Sequence, residues 1–95
     1  MIISNEPGYY KANEYGIRIE SLLAVKELFK AENGKYCLGF ETITLAPVDL
    51  RIVDRNLLIK QDIEWLNKYH KKVYETHLPH LNKKESAWLK DFLTF

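Results

Sequence analysis

Hydrophobic and polar positions along the 95 residues change period once, near Asp54. Upstream the spacing is that of strands. Ile2-Ile3-Ser4 is a short apolar segment stopped by Asn5-Glu6-Pro7-Gly8, where Pro7 biases Glu6 toward extended backbone and Gly8 can turn, so residues 5–15 are expected as a loop. From Gly16 to Phe29 the chain begins with clean alternation. Ile17 and Ile19 point one way, Arg18 and Glu20 the other, which predicts a single strand. Asn33-Gly34 is a hairpin signal, because both residues tolerate positive φ, and Tyr36 to Leu45 returns as a β-branched and aromatic strand ended by Ala46-Pro47.

Beyond Arg55 the spacing is helical. Ile63, Leu66, His70 and Val73 share one stripe, with Asp62, Lys68, Lys72 and Glu75 mostly off it, predicting a helix from about Gln61 to Leu78 closed by Pro79. Ile59 cannot accept the free N–H groups of that helix start, which is therefore expected to be frayed or capped by Asn56. Asn82 followed three residues later by Glu85 reads as a capping box, opening a second helix with Trp88/Phe92 and Leu89/Leu93 as i,i+4 pairs. The class is α+β, antiparallel strands followed by two helices, with a strand part at 1–53 and a helical part at 54–95.

Composition narrows the partners. The chain is 46% apolar and 28% charged, an ordinary folded composition, and its size leaves room for one domain. Fourteen Lys+Arg against thirteen Asp+Glu give a net charge of +1, too little field to hold a phosphate backbone or an anionic membrane. Nucleic acid and membrane are thus not expected partners. Cys37 stands alone, so no internal disulfide can form, and a reducing cytoplasm is the expected compartment. The apolar start meets Asn5-Glu6 too soon for a signal peptide, and the chain reads as a piece of something longer.

Two acids stand out by context. Glu6 sits on a constrained turn, and Glu20 shares a strand face with Arg18, roughly 6.5–7 Å away along the chain. That pair reads either as an exposed ion pair worth about 1 kcal/mol or less or as a held metal ligand, since hard divalent ions prefer carboxylate oxygens. Glu41 is expected in a structural contact, and Trp65, Tyr69, Tyr74, Trp88 and Phe92 as helix packing. His77 and His80 are expected as polar surface residues, Pro79 breaking any helical metal-binding spacing between them.

Four motifs, Ser4-Asn5-Glu6-Pro7-Gly8-Tyr9-Tyr10, Gly16-Ile17-Arg18-Ile19-Glu20, Leu38 to Pro47 (LGFETITLAP) and Trp65-Leu66-Asn67-x-Tyr69-His70, run in order across nearly the whole chain. Together they resemble the C-terminal part of the catalytic domain of the Xaa-Pro aminopeptidase (aminopeptidase P) family. The resemblance implies the C-terminal end of a pita-bread fold, in which two Asp, one His and two Glu hold two divalent ions, usually manganese. Those ions activate a water that releases the first residue from peptides with proline in second position. By the same resemblance Glu6 is the first glutamate ligand and the general base, Glu20 the ligand that bridges both metals, and Arg18 and Tyr10 support the ligands from behind. Ser21 stands where the family usually has Asn or Asp, and Ile59 where it tends to have Thr. The three remaining ligands are expected upstream, so the 95 residues alone are expected to be inactive and to bind little or no metal. A homodimer is expected of the parent enzyme and self-association of the piece. Alternatives are a non-catalytic interaction module or a pseudoenzyme of the same fold.

Overall fold

The computed structural model describes residues 1–95, which form two compact units, Met1–Thr44 and Leu45–Phe95. The first is all strand: β1 (Ile2–Asn5), β2 (Gly8–Lys11), β3 (Tyr15–Arg18), β4 (Ser21–Lys30) and β5 (Tyr36–Thr42). β1, β4 and β5 make an antiparallel sheet with β4 in the centre, and β2 pairs with β3. The expected loop over 5–15 is therefore half strand. A four-residue strand with three bulky polar-tipped side chains and no alternation gives almost no periodic signal, and its turn depends on Asn13, which takes φ 61°. Glu14 N–H donates to Lys11 O (3.0 Å), and the Lys11 ammonium reaches the Glu14 carboxylate (2.9 Å), closing this hairpin.

The single strand expected over Gly16–Phe29 is also divided, because Ile19 and Glu20 leave the ladder between β3 and β4. The Asn33-Gly34 hairpin forms as expected. Gly34 adopts φ +81°, and Asn33 Oδ1 accepts from Lys35 N–H (3.0 Å). One irregularity lies within β4, where the register shifts between Glu27 and Phe29 and Leu28 lies over Gly39. No residue of Met1–Thr44 is fully buried.

The second unit has a core. Two 3-10 turns, Leu50–Ile52 and Arg55–Leu57, lead to α1 (Lys60–His77), a further 3-10 turn at Leu78–His80, and α2 (Lys83–Phe92). Leu66, Tyr69 and Val73 of α1 bury against Leu89 of α2 and Leu93 at its end. Val73 is wholly inaccessible, and burying such a side chain contributes about 1.5–3 kcal/mol. Asn82 and Glu85 exchange hydrogen bonds (2.8 and 2.9 Å), the capping box expected at the start of α2. The start of α1 differs from expectation. Asn56 N–H is bound to Asp54 Oδ1 in the preceding turn, and it is the Asp62 carboxylate, one turn in, that accepts from Ile59 N–H (3.1 Å).

Trp65 and Trp88 stack on Tyr69 and Phe92 (centroids 5.3 and 5.1 Å apart), the helix packing expected of the aromatic residues; Tyr69 belongs to the core, and the two tryptophans flank it, more than half exposed. His70, on the same stripe as Leu66 and Val73, is 3% exposed. Val48 N–H donates to its Nε2 (3.0 Å), so Nδ1 carries the proton and donates to Leu93 O (3.1 Å). Tyr69 donates its hydroxyl to Ala46 O (2.6 Å) and His77 donates from Nε2 to Leu45 O (3.0 Å). Three side chains of α1 thus fasten the backbone of residues 45–48 to the helix.

Candidate metal centre

The geometry around Glu6 and Glu20 follows from register. Asn5 pairs with Ser21 on one side of the break and Gly8 with Arg18 on the other. Counting inward from both, Pro7 falls opposite Ile19 and Glu6 opposite Glu20, and Ile19 N–H donates to Pro7 O (3.2 Å). β1–β2 and β3–β4 are therefore one antiparallel ladder, interrupted without any slip. Directly opposed residues project to the same face with Cβ atoms about 4.5–5.5 Å apart. The two carboxylates expected as ligands are brought together in this way, both exposed.

Like charges directly opposite one another destabilise a ladder, and the pairing is interrupted at this point. Pro7, which has no N–H to give, contributes to the interruption. Two glutamates facing each other offer up to four oxygen acceptors on one surface, the donor chemistry that hard divalent cations prefer. The residues present thus fit such an ion in kind, although no cluster of three or more His, Cys, Asp or Glu able to hold a metal occurs in the chain.

The same face continues away from the carboxylates. Gly8 opposes Arg18, and Tyr10 opposes Gly16. The neighbouring Tyr10 side chain and the Glu20 and Glu6 carboxylates together raise the pKa of the Arg18 guanidinium above its ordinary value. All four residues singled out in the sequence, Glu6, Glu20, Arg18 and Tyr10, therefore lie on one face. Sequence reading missed the two glycines. An ideal Cβ at Gly16 would lie 2.7 Å from Tyr10 Cδ1, and one at Gly8 would lie 2.9 Å from both Arg18 Cγ and Tyr10 Oη. Only hairpin register reveals these neighbours, and the hairpin itself was not anticipated.

Glu41 pairs with Ala24, which pairs in turn with Ile2, so it shares this face of the sheet about four residues along β4 from Glu20. His77 and His80 belong to the second unit and have no part in the strand site.

Residues 36–92 match the family described as the C-terminal region of peptidase M24. The chain is 42% identical over 94 residues to a Coprinopsis cinerea protein named "Probable Xaa-Pro aminopeptidase P", covering 95% of this chain and 15% of that one. It is 39% identical over 92 residues to aminopeptidase P1 of Arabidopsis thaliana, covering 95% of this chain and 14% of the relative. Among solved structures, the X-prolyl aminopeptidase of Caenorhabditis elegans, described as a cytosolic enzyme with a di-nuclear active site, superimposes with a TM-score of 0.77 at 35% identity, covering 98% of this chain and 16% of that one. The chain thus spans about one seventh of the length of the relatives it matches, and it shares the mixed strand-and-helix pita-bread fold expected from its motifs. It belongs to the peptidase M24 family, as part of that family's C-terminal region.

Proposed function

We propose that this chain supplies two carboxylate ligands, Glu6 and Glu20, to the dinuclear centre of an aminopeptidase that releases the N-terminal residue from peptides with proline in second position. One observation carries the reading: the register kept without slip across the break in the ladder, which by count brings Glu6 opposite Glu20 on a single exposed face. The named activities of the relatives and the di-nuclear site of the C. elegans enzyme support it. Two divalent ions, manganese by family resemblance, would supply a water acidic enough to act as nucleophile near neutral pH. Glu6 and Glu20 would hold these ions, and Glu6, at the start of the break, would take the proton from the nucleophile. Arg18 and Tyr10 fix the surroundings of the pair.

On this reading residues 1–53 carry the ligand-bearing strands, residues 54–95 a helical extension, and the complete enzyme works as a homodimer in the cytoplasm. The 95 residues by themselves lack the third to fifth ligands and hydrolyse nothing. Two arms test the proposal. The purified chain with an Xaa-Pro peptide and excess manganese should give no turnover above a protein-free blank, and hydrolysis there would overturn the ligand count. Nuclear magnetic resonance of the same chain with Mn2+ should show paramagnetic broadening centred on Glu6 and Glu20. Glu6→Gln should abolish that broadening and Glu41→Gln should leave it intact. Equal responses of the two variants would show that the ligand is misassigned.

A further inference from the structure

The connection between β4 and β5 holds the one asparagine of the chain that is followed by glycine. Asn5 and Asn13 precede glutamates, Asn56 a leucine, and Asn67 and Asn82 lysines. Three hydrogen bonds shape the turn. Ala31 N–H donates to Lys35 O (2.7 Å), Gly34 N–H to Ala31 O (3.0 Å) and Lys35 N–H to Asn33 Oδ1 (3.0 Å). Residues 32–35 are all exposed, so water reaches Asn33 freely.

The last of these bonds bears on reactivity. It turns the Asn33 side-chain carbonyl forward along the chain, over the backbone that follows, and the donated N–H draws electron density away from Cγ. The nitrogen of Gly34 is the backbone nucleophile placed to close a five-membered ring with that carbon. Gly34 has no side chain to shield it, and nothing lies within 4 Å of the place a Cβ would take. A glycine also lets the backbone rotate at little cost as the ring forms. What restrains the reaction is the Gly34 N–H bond to Ala31 O, which must open first.

We propose that Asn33 is a site of spontaneous modification, converted by the Gly34 nitrogen through a cyclic imide to a mixture of aspartate and isoaspartate. Gly34 N gives up its proton and bonds to Asn33 Cγ, while the Cγ–Nδ2 bond breaks and the side-chain nitrogen leaves with that proton as ammonia. Water then adds to one of the two imide carbonyls, and the ring nitrogen regains a proton from it. Addition at Cγ gives aspartate on the original backbone. Addition at the main-chain carbonyl gives isoaspartate, whose backbone runs through Cβ and Cγ. Both products take the formal net charge from +1 to zero. Isoaspartate also lengthens the turn by one backbone carbon, so the bonds that close it lose their fit.

The test ages the 95-residue chain in mildly alkaline buffer made with heavy-oxygen water, beside a free end-blocked peptide with the sequence of residues 31–36. Trypsin in ordinary water then cuts after Lys30 and Lys35 and releases residues 31–35 as one piece. Mass spectrometry should find one heavy oxygen atom in that piece, and electron-transfer fragmentation should find isoaspartate at position 33. It should accumulate about two- to tenfold more slowly than in the free peptide, the cost of opening one turn hydrogen bond. The other five asparagines should stay intact over that time. Gly34→Ala, which sets a methyl group beside the nitrogen, and Asn33→Gln, whose extra methylene spoils closure of the five-membered ring, should each leave the piece unmodified. The glutamine variant keeps Gly34 and serves if alanine at a φ of +81° distorts the hairpin. Amide exchange at Ala31 should be about two- to tenfold faster in the isoaspartate form and unchanged in Asn33→Asp, which keeps an acceptor for Lys35 N–H. An unmodified Asn33 once the free peptide has fully converted overturns the site, and aspartate without isoaspartate overturns attack by Gly34. Exchange at the wild-type rate in the isoaspartate form overturns the effect on the turn.

Discussion

Replacing His70 by phenylalanine should be among the most damaging single changes in the helical unit. The ring volume is nearly kept, so little cavity forms, but both nitrogens go. Val48 N–H and Leu93 O, which bind them at 3.0 and 3.1 Å, are left facing a carbon ring at a site 3% exposed. An orphaned buried polar group costs about 1–3 kcal/mol, so two cost about 2–6 kcal/mol together. At about 4–8 °C per kcal/mol for a chain of this size, the melting temperature at pH 7.5 should fall by about 10 °C or more. Thermal melts followed by helical circular dichroism measure this directly. His70→Gln, able to replace one of the two bonds, should lose less. The imidazole also predicts a pH dependence. Burial holds its pKa below the ordinary 6.5, with the bond to Leu93 O opposing in part. The unfolded chain therefore takes up the proton more readily than the folded one. The contribution of His70 is complete above about pH 6.5 and is lost as pH falls from there through the folded-state value. The stability difference between wild type and His70→Gln should accordingly shrink between pH 7.5 and 5.5. A phenylalanine variant melting within about 2 °C of wild type, or a difference independent of pH, would refute the role given to the two ring bonds.

The Asn82 cap of α2 accepts from Glu85 N–H at 2.8 Å, so Asn82→Ala should lower stability by about 1 kcal/mol, read as a shifted urea midpoint with an unchanged slope. In the strand unit Ile2, Leu22, Phe29, Leu38 and Phe40 are each about half exposed or more, and uncovered sheet of that kind seeks a partner. Sedimentation equilibrium should therefore show self-association at micromolar or higher concentration. A monomer throughout that range would mean the strands are stable without cover.

Much of the helical unit could be read from the chain because its signals are local. The Asn82–Glu85 box, the Pro79 stop and the stripe through Leu66, His70 and Val73 each depend on residues within one or two turns. The role of His70 was hidden, since its partners Val48 and Leu93 are 22 and 23 positions away. In the strands the Asn33-Gly34 turn was plain, but β2 was not, because Gly8-Tyr9-Tyr10-Lys11 has neither alternation nor a conventional turn dipeptide after it. The four site residues were recognised from motif likeness. What brings them together is cross-strand register, a long-range quantity that no window of the sequence contains.

The unslipped ladder also limits where the chain can gain or lose residues. Glu6 stands two positions before Gly8, and Glu20 two positions after Arg18, so the two arms are of equal length. One residue added to or removed from either arm alone would turn one glutamate to the opposite side of the sheet, since side chains alternate with a period of two. At the tip, residues 12–14 lie outside the pairing, and loops there tolerate changes of length. Insertions and deletions between the two glutamates are thus compatible with the paired carboxylates at this tip and not along its stems.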